Sequence, residues 1–114
     1  MDRAGVKRFC LSLPAATLDH PFGEDHDAYR VGGKVFAIMG GDGGLSFKAS
    51  DIAFEVLTET GRAIPAPYLA RGKWVHLADP ADWPDDDLTE HLITAHALIA
   101  AKLTNKARKD LGLA

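Results

Sequence analysis

The chain has 114 residues, of which 46% are hydrophobic and 25% are charged, and its formal net charge is −3. This length suits one domain around a single core, and we expect that domain to cover residues 1–114. The negative charge argues against a general nucleic-acid binder, which usually carries a clear positive excess.

The chain has one cysteine, no apolar run long enough to span a bilayer and no signal-peptide pattern at its N-terminus. One cysteine, Cys10, leaves no internal disulfide and is typical of a reducing compartment. We therefore expect a cytoplasmic protein that does not associate with a membrane. The apolar neighbours of Cys10 predict a buried thiol rather than a nucleophile.

The first half of the chain predicts a helix followed by an antiparallel meander. Apolar residues at three- and four-residue spacing indicate a helix over residues 2–13, which ends before Pro14. A short extended piece follows at 17–20. Gly32 and Gly33 tolerate the positive φ of a tight hairpin turn, and a second glycine-rich turn lies at 40–44. We predict strands at 28–31, 35–39 and 45–49.

The second half predicts two helices and one more strand. Ser50 is a suitable N-cap for a helix over 51–60, with Ile52 and Val56 on its apolar side, and Gly61 ends it. Two prolines make 64–69 an ordered loop rather than a central strand. A strand at 74–78, a linker at 79–84, a long helix at 85–103 and a short helical turn from 104 follow.

Together these elements predict an α+β domain with a small antiparallel sheet and helices packed on one face. We expect Phe9, Phe36, Leu92 and Ile99 to be largely buried in its core. The remaining aromatic residues of the central segments are also expected in the core or at its edge. These are Phe22, Phe47 and Tyr68.

Charge is distributed unevenly near the C-terminus. Residues 79–90 carry six acidic side chains and no basic one, whereas residues 102–109 carry four basic side chains and no acidic one. Acids favour the N-terminus of a helix and bases favour its C-terminus. The asymmetry is therefore explained by the electrostatics of the last long helix.

Basic residues also lie at the predicted turns of the sheet. Lys34 is at a hairpin tip, Lys48 faces away from the side of Phe47, and Arg71 and Lys73 precede Trp74. If these turns converge, they form a cationic surface with one aromatic ring, which suits phosphate contact and base stacking. The alternative is a sheet edge that lysines protect from aggregation.

The histidines and carboxylates do not predict a metal site or a catalytic site. Five residues of types that bind first-row metals lie within residues 20–27, but the His-x₅-His spacing matches no standard ligand motif. They are His20, Glu24, Asp25, His26 and Asp27. On the last helix, His91 and His96 point about 140° apart. We expect a solvated acidic loop, no cofactor and no enzymatic activity, since nucleophile, zinc and nucleotide-binding motifs are all missing.

Seven ordered blocks resemble the MmcQ/YjbR family: FCLSLP at 9–14, PFG at 21–23, YRVGGKVFA at 29–37, SFK at 46–48, PY at 67–68, KWV at 73–75 and AKL at 101–103. The resemblance implies a CyaY-like fold with a double-wing arrangement of hairpins that is often labelled DNA-binding. Two positions depart from the family pattern, because His96 stands where relatives often have Tyr, and Thr104 where they often have Pro.

Two functions are therefore open. The first is a non-enzymatic DNA-binding protein whose hairpin wings make weakly sequence-specific phosphate contacts. Its candidate contacts are Lys34, Lys48, Arg71, Lys73 and Trp74. The second is a protein- or small-ligand-interaction domain on the same fold, which the negative net charge favours.

Overall fold

A computed structural model of the chain describes residues 1–113 and has an α+β fold. The described helices are α1 (Arg3–Ser12), α2 (Asp51–Glu59), α3 (Asp85–Ala100) and α4 (Asn105–Asp110). The strands are β1 (Ala16–Asp19), β2 (Asp27–Val31), β3 (Lys34–Met39), β4 (Leu45–Lys48), β5 (Ile64–Pro65) and β6 (Trp74–Leu77). Single 3₁₀ turns occur at Ala70–Gly72 and Pro80–Asp82.

The strands form one antiparallel sheet in the order β1-β2-β3-β4-β6-β5. The predicted meander and the pairing of the later strand with it are confirmed. The two-residue strand β5 lies within 64–69, for which the sequence predicts an ordered loop rather than a central strand. Pro65 is compatible with this strand because β5 is at the edge of the sheet, where a missing N–H breaks no central ladder.

Side-chain caps and a glycine bound α1 and α2, and those at Ser50 and Gly61 are the ones that the sequence predicts. Asp2 Oδ1 accepts a 2.8 Å hydrogen bond from the amide of Gly5 at the start of α1. Ser50 Oγ accepts one from the amide of Ala53 at the start of α2. Gly61 follows α2 with a φ of 74°, the left-handed conformation that suits glycine. Each helix therefore begins or ends within a few residues of its predicted limit.

The core lies between the sheet and the helices, with α3 against β2, β3 and β4 and α1 against β1. Phe36, Leu92 and Ile99 are buried as predicted, while Phe9 is only half-buried against the same cluster. Cys10 is also buried, and this burial raises the pKa of its thiol to about 12. Cys10 is therefore a core residue and is not activated as a nucleophile.

The burial predicted for Phe22 and Tyr68 is wrong, and the apolar side of α2 is exposed. Phe22 is 56% exposed in a turn outside the strands, and Tyr68 is fully exposed at a turn tip. On α2, Ile52 and Val56 are 76% and 51% exposed, and the side that packs inward carries Leu57. The spacing of apolar residues shows that a helix has a distinct face, but it does not show which elements cover that face.

The two departures from the family pattern have structural roles here. His96 is buried against Phe36, with ring centroids 5.3 Å apart, and its Nε2–H donates a 2.8 Å hydrogen bond to the carbonyl of Pro14. This bond ties α3 to the segment that follows α1. Thr104 caps α4, because its Oγ1 accepts a hydrogen bond from the amide of Ala107.

The other histidine of α3, His91, predicts that the stability of the fold depends on pH. His91 packs between Phe47 and Trp83, with ring centroids 5.8 and 5.4 Å away, and burial, followed by the charge of Arg62, lowers its pKa below the ordinary value of 6.5. The unfolded chain therefore binds a proton at His91 more readily than the folded chain. The contribution of neutral His91 to the free energy of unfolding is therefore complete above about pH 7. It is lost as the pH falls from the ordinary pKa of the side chain toward the lower pKa that it has in the folded chain.

We expect His91→Gln to weaken this pH dependence. Urea unfolding of both proteins at about pH 7.5 and about pH 5.5 measures it, and the native protein should lose more free energy of unfolding between the two conditions than the variant. Equal losses in the two proteins would show that His91 titrates alike in the folded and unfolded states.

Candidate nucleic-acid interface

The register of the sheet places basic and acidic segments at opposite ends of the strands. Lys34 starts β3, Lys48 ends β4 opposite the first residue of β6, and the loop before β6 carries Arg71 and Lys73. We call this the basic end, defined by residues 32–34, 48, 66–73 and 102. The segments 24–27, 40–44 and 79–87 adjoin the other ends of the strands and form the acidic end.

Lys102 joins the basic end because α3 runs from one end of the sheet to the other. The acidic residues 85–87 form the first turn of α3, and Leu103, just after its last turn, packs on the hairpin glycine Gly32. Gly32 has a φ of 58°, and a Cβ there would lie 2.6 Å from the Leu103 side chain. Glycine is thus required both by the turn and by this close approach.

Lys48 is the best-defined cation of the basic end. Its Nζ donates a hydrogen bond to the carbonyl of Gly72, so the Lys48 side chain ties the end of β4 to the loop before β6. Burial lowers the pKa of Lys48, and the positive charges of Lys102 and Lys73 lower it further, whereas Asp51 opposes them. The like charges are therefore close enough to repel one another.

The loop at residues 66–73 is compact and firmly held. Its ends are joined where the amide of Ala66 donates a 3.0 Å bond to the carbonyl of Trp74. Lys73 has a φ of 62°, and its Nζ lies 5.0 Å from the ring centroid of Phe54 on α2, a cation–π distance. The orientation of the Lys73 side chain is therefore set by its backbone conformation and by its contact with the Phe54 ring.

The cations of the basic end lack acidic partners. None of the five forms an ion pair with a carboxylate of residues 1–113. They are Lys34, Lys48, Arg71, Lys73 and Lys102. Such a set attracts anions, and phosphates above all, more strongly than cations already neutralised by neighbours.

Trp74 does not belong to the exposed surface. Only 9% of it is accessible, so its ring cannot serve as the stacking aromatic that the sequence suggests. The exposed ring of this end is Tyr68, which the sequence predicts in the core or at its edge. Its turn could have been anticipated from Pro67, because proline is common at the second position of β-turns. Lys102 is the other residue that the sequence does not assign to this surface, because its charge there is explained by the electrostatics of the last long helix.

The acidic end is held by an ion pair and by hydrogen bonds between histidines and carboxylates. Asp27 is buried, and its carboxylate lies 3.3 Å from the guanidinium of Arg3 and 3.1 Å from Nε2 of His20. His26 Nδ1 lies 2.9 Å from Asp25 Oδ1, which lowers the pKa of Asp25. In the part of the chain that the structure describes, no three His, Cys, Asp or Glu side chains are arranged to hold a metal ion.

A small cavity also lies near the acidic end of the sheet, between the end of β6 and the segment at Trp83. Its volume is about 260 Å³, and Arg62, His76, Asp79 and Asp82 contribute to its lining. Arg62 is already engaged, because it lies 4.3 Å from the Trp83 ring centroid and pairs with Asp87 at 3.1 Å.

Among residues 1–113, no helix is both long and apolar enough to cross a membrane.

Comparisons with known proteins find a family and a fold. The YjbR family model matches residues 11–98. A crystal structure of a Deinococcus radiodurans protein with a DUF419 domain superposes with a TM-score of 0.87 at 24% identity, covering 100% of this chain and 91% of the other. No curated protein matches the chain. At this identity the likeness to the solved structure shows the fold alone.

Proposed function

The chain belongs to the YjbR family. Since the resemblance to MmcQ/YjbR proteins implies a double-wing arrangement that is often labelled DNA-binding, we propose that the chain binds DNA through the basic end. Lys34, Lys48, Arg71 and Lys73 contact phosphates, and Lys102 adds to their field. The protein performs no chemistry on the DNA in this proposal. It acts as a binding module.

The observation that carries the proposal is the convergence of unpaired cations at one end of the sheet. Four separate segments supply them: the β2–β3 hairpin, the end of β4, the loop before β6 and the end of α3. The net charge of −3 does not oppose this, because the acidic groups of 24–27 and 79–87 lie at the far end of the strands. The local field, not the total charge, determines where a polyanion is attracted.

Contacts of this kind position a protein on DNA without reading the bases. Lysine and arginine bind phosphates through charge, whereas sequence is read by side chains that reach base edges in a groove. The basic end consists of turns, strand ends and the segment that follows α3, and it presents no long helix along its surface for the major groove. We therefore expect affinity to vary little with DNA sequence.

A salt titration tests the proposal. Binding of fluorescently labelled DNA should weaken steeply between about 50 and 200 mM salt, with log affinity falling against log salt at about −0.9 for each duplex phosphate neutralised. Two unrelated sequences of equal length should give similar curves. Failure to bind any DNA at the lower salt concentration would refute the proposal.

Two observations favour the alternative, a protein- or small-ligand-interaction domain. Ile52 and Val56 expose apolar surface on α2, and the cavity at Arg62 and Trp83 offers space for a small molecule. Small-molecule sites usually measure about 300–1,000 Å³, so the cavity of about 260 Å³ falls just below that range. The basic end, with five unpaired cations, is the stronger feature, and the alternative gains support if DNA does not bind.

A further inference from the structure

We infer that the basic end takes single-stranded nucleic acid in preference to duplex, with an unpaired base stacking on the ring of Tyr68. This inference rests on the proposed function and specifies the kind of strand that the site accepts. It is carried by the position of Tyr68, whose conformation and exposure are not explained by folding.

The conformation of Tyr68 is unusual for its residue type. The amide of Leu69 donates a 3.1 Å hydrogen bond to the carbonyl of Ala66, which closes a β-turn with Pro67 and Tyr68 at its centre. Tyr68 has a φ of 65°. Proline in the second position and a positive φ in the third are the marks of a type II turn, whose third position is usually Gly or Asn. A tyrosine there is strained.

Packing does not offset this strain. Tyr68 is fully exposed, so its ring contributes no buried surface to the fold. Glycine at this position would serve the turn better, and a polar residue would suit the surface better. Strain that the fold does not need tends to occur at positions used for binding.

The ring lies on a loop that is fixed among the cations. Lys48 binds the carbonyl of Gly72, and Lys73 is held over Phe54, while Arg71 is on the same loop. Trp74 is buried, and Phe54 is half-buried with Lys73 over its ring, so Tyr68 is the fully exposed ring of this loop region. Unpaired phosphate-binding cations and one free aromatic face together match the sites that bind single strands.

Base accessibility decides between a single strand and a duplex. In a duplex the faces of the bases are covered by their neighbours, and only their edges are open in the grooves. In a single strand a base can turn out of the stack and place its face on a tyrosine ring. Tyr68 would therefore add to the affinity for a single strand and add little for a duplex.

Two variants separate the ring from the fold. Tyr68→Gly removes the ring and suits the positive φ, so its unfolding midpoint should be unchanged or raised. Tyr68→Phe keeps the stacking face and serves as the matched control. The probes are a short oligothymidylate, an oligouridylate, an abasic deoxyribose-phosphate strand of the same length and a duplex, each measured by fluorescence anisotropy.

Native protein and Tyr68→Phe should bind oligothymidylate at least about fivefold more tightly than the abasic strand. The difference arises because one base of oligothymidylate stacks on the ring, and the abasic strand has no base to stack. Tyr68→Gly should abolish that difference and leave the affinities for the abasic strand and the duplex within about twofold of native. Oligouridylate should follow the same pattern, and the tighter of the two strands identifies DNA or RNA as the natural source.

The inference is overturned if Tyr68→Gly binds oligothymidylate as tightly as the native protein, or if the duplex binds more tightly than both single strands. In either case the proposed function stands, because nucleic acid still binds through the cations. If no probe binds the native protein at low salt, the proposed function fails and the inference fails with it.

Discussion

Replacing Phe36 by Ala should lower the free energy of unfolding by about 3–5 kcal/mol, the usual cost of truncating a buried phenylalanine. Phe36 is fully buried and packs against the rings of Tyr29 and His96. The smaller side chain would leave a cavity between β3 and α3 that these neighbours fill only in part. A domain of this size has about 5–15 kcal/mol of stability, so the loss is a large share of it.

The backbone around Phe36 makes this site hard to repack. Tyr29 pairs with Ala37 and Arg30 pairs with Val35, so Phe36 is the extra residue of a β-bulge. A bulge redirects a side chain, and here it allows Phe36 and Ala37 both to be buried although they are consecutive. Movement of the strand into the cavity would disturb the pairing on either side.

Urea unfolding measures the effect, and Phe22→Ala is the control. Phe22 is 56% exposed, so its truncation should cost less than about 1 kcal/mol. A loss of under about 1 kcal/mol for Phe36→Ala as well would contradict the packing described for β3 and α3.

Reversing two charges of the basic end should produce the largest effect on binding. The double variant Lys48→Glu, Lys73→Glu replaces two cations with anions, so both phosphate contacts are lost and local repulsion appears. Affinity for DNA should fall by about tenfold or more, equally for different sequences, and the salt dependence should become shallower by about one unit of slope for each lost contact.

The control must change the total charge by the same amount elsewhere. Lys7 and Arg8 are both exposed on α1 and form no ion pair with a carboxylate of residues 1–113. Lys7→Glu, Arg8→Glu should therefore leave most of the affinity intact. Equal losses in the two double variants would mean that net charge alone governs binding. Unfolding curves for each variant verify the fold, since Lys48 also holds the loop at Gly72.

The fold could be predicted from local chemistry wherever that chemistry was decisive. Gly32 and Gly33 fix a hairpin, Ser50 and Gly61 bound a helix, and alternation sets the side of the sheet on which Lys48 lies. These features depend on a few neighbouring residues. Strand β5 was missed because two residues give no periodicity, and its pairing with β6 is a contact between separate segments.

The candidate site was predictable only in part. The sequence identifies cations at turns, but it does not show that Lys102 lies near enough to Lys48 to lower its pKa, since α3 brings together residues that are far apart in the chain. The sequence also predicts Trp74 on the exposed surface and Tyr68 in the core or at its edge, whereas in the structure Trp74 is buried and Tyr68 is exposed. Residue type alone favours burial of both, and the turn at Pro67, which exposes Tyr68, competes with that preference.

The central claim is that nucleic acid binds at the basic end, and amide chemical-shift mapping tests it most directly. Titration of a short oligonucleotide at low salt should shift the amides of residues 32–34, 48–49, 66–73 and 102, and leave those of 24–27, 40–44 and 79–87 in place. Shifts confined to the acidic end or to the cavity at Arg62 and Trp83, or no shifts at all, would contradict it.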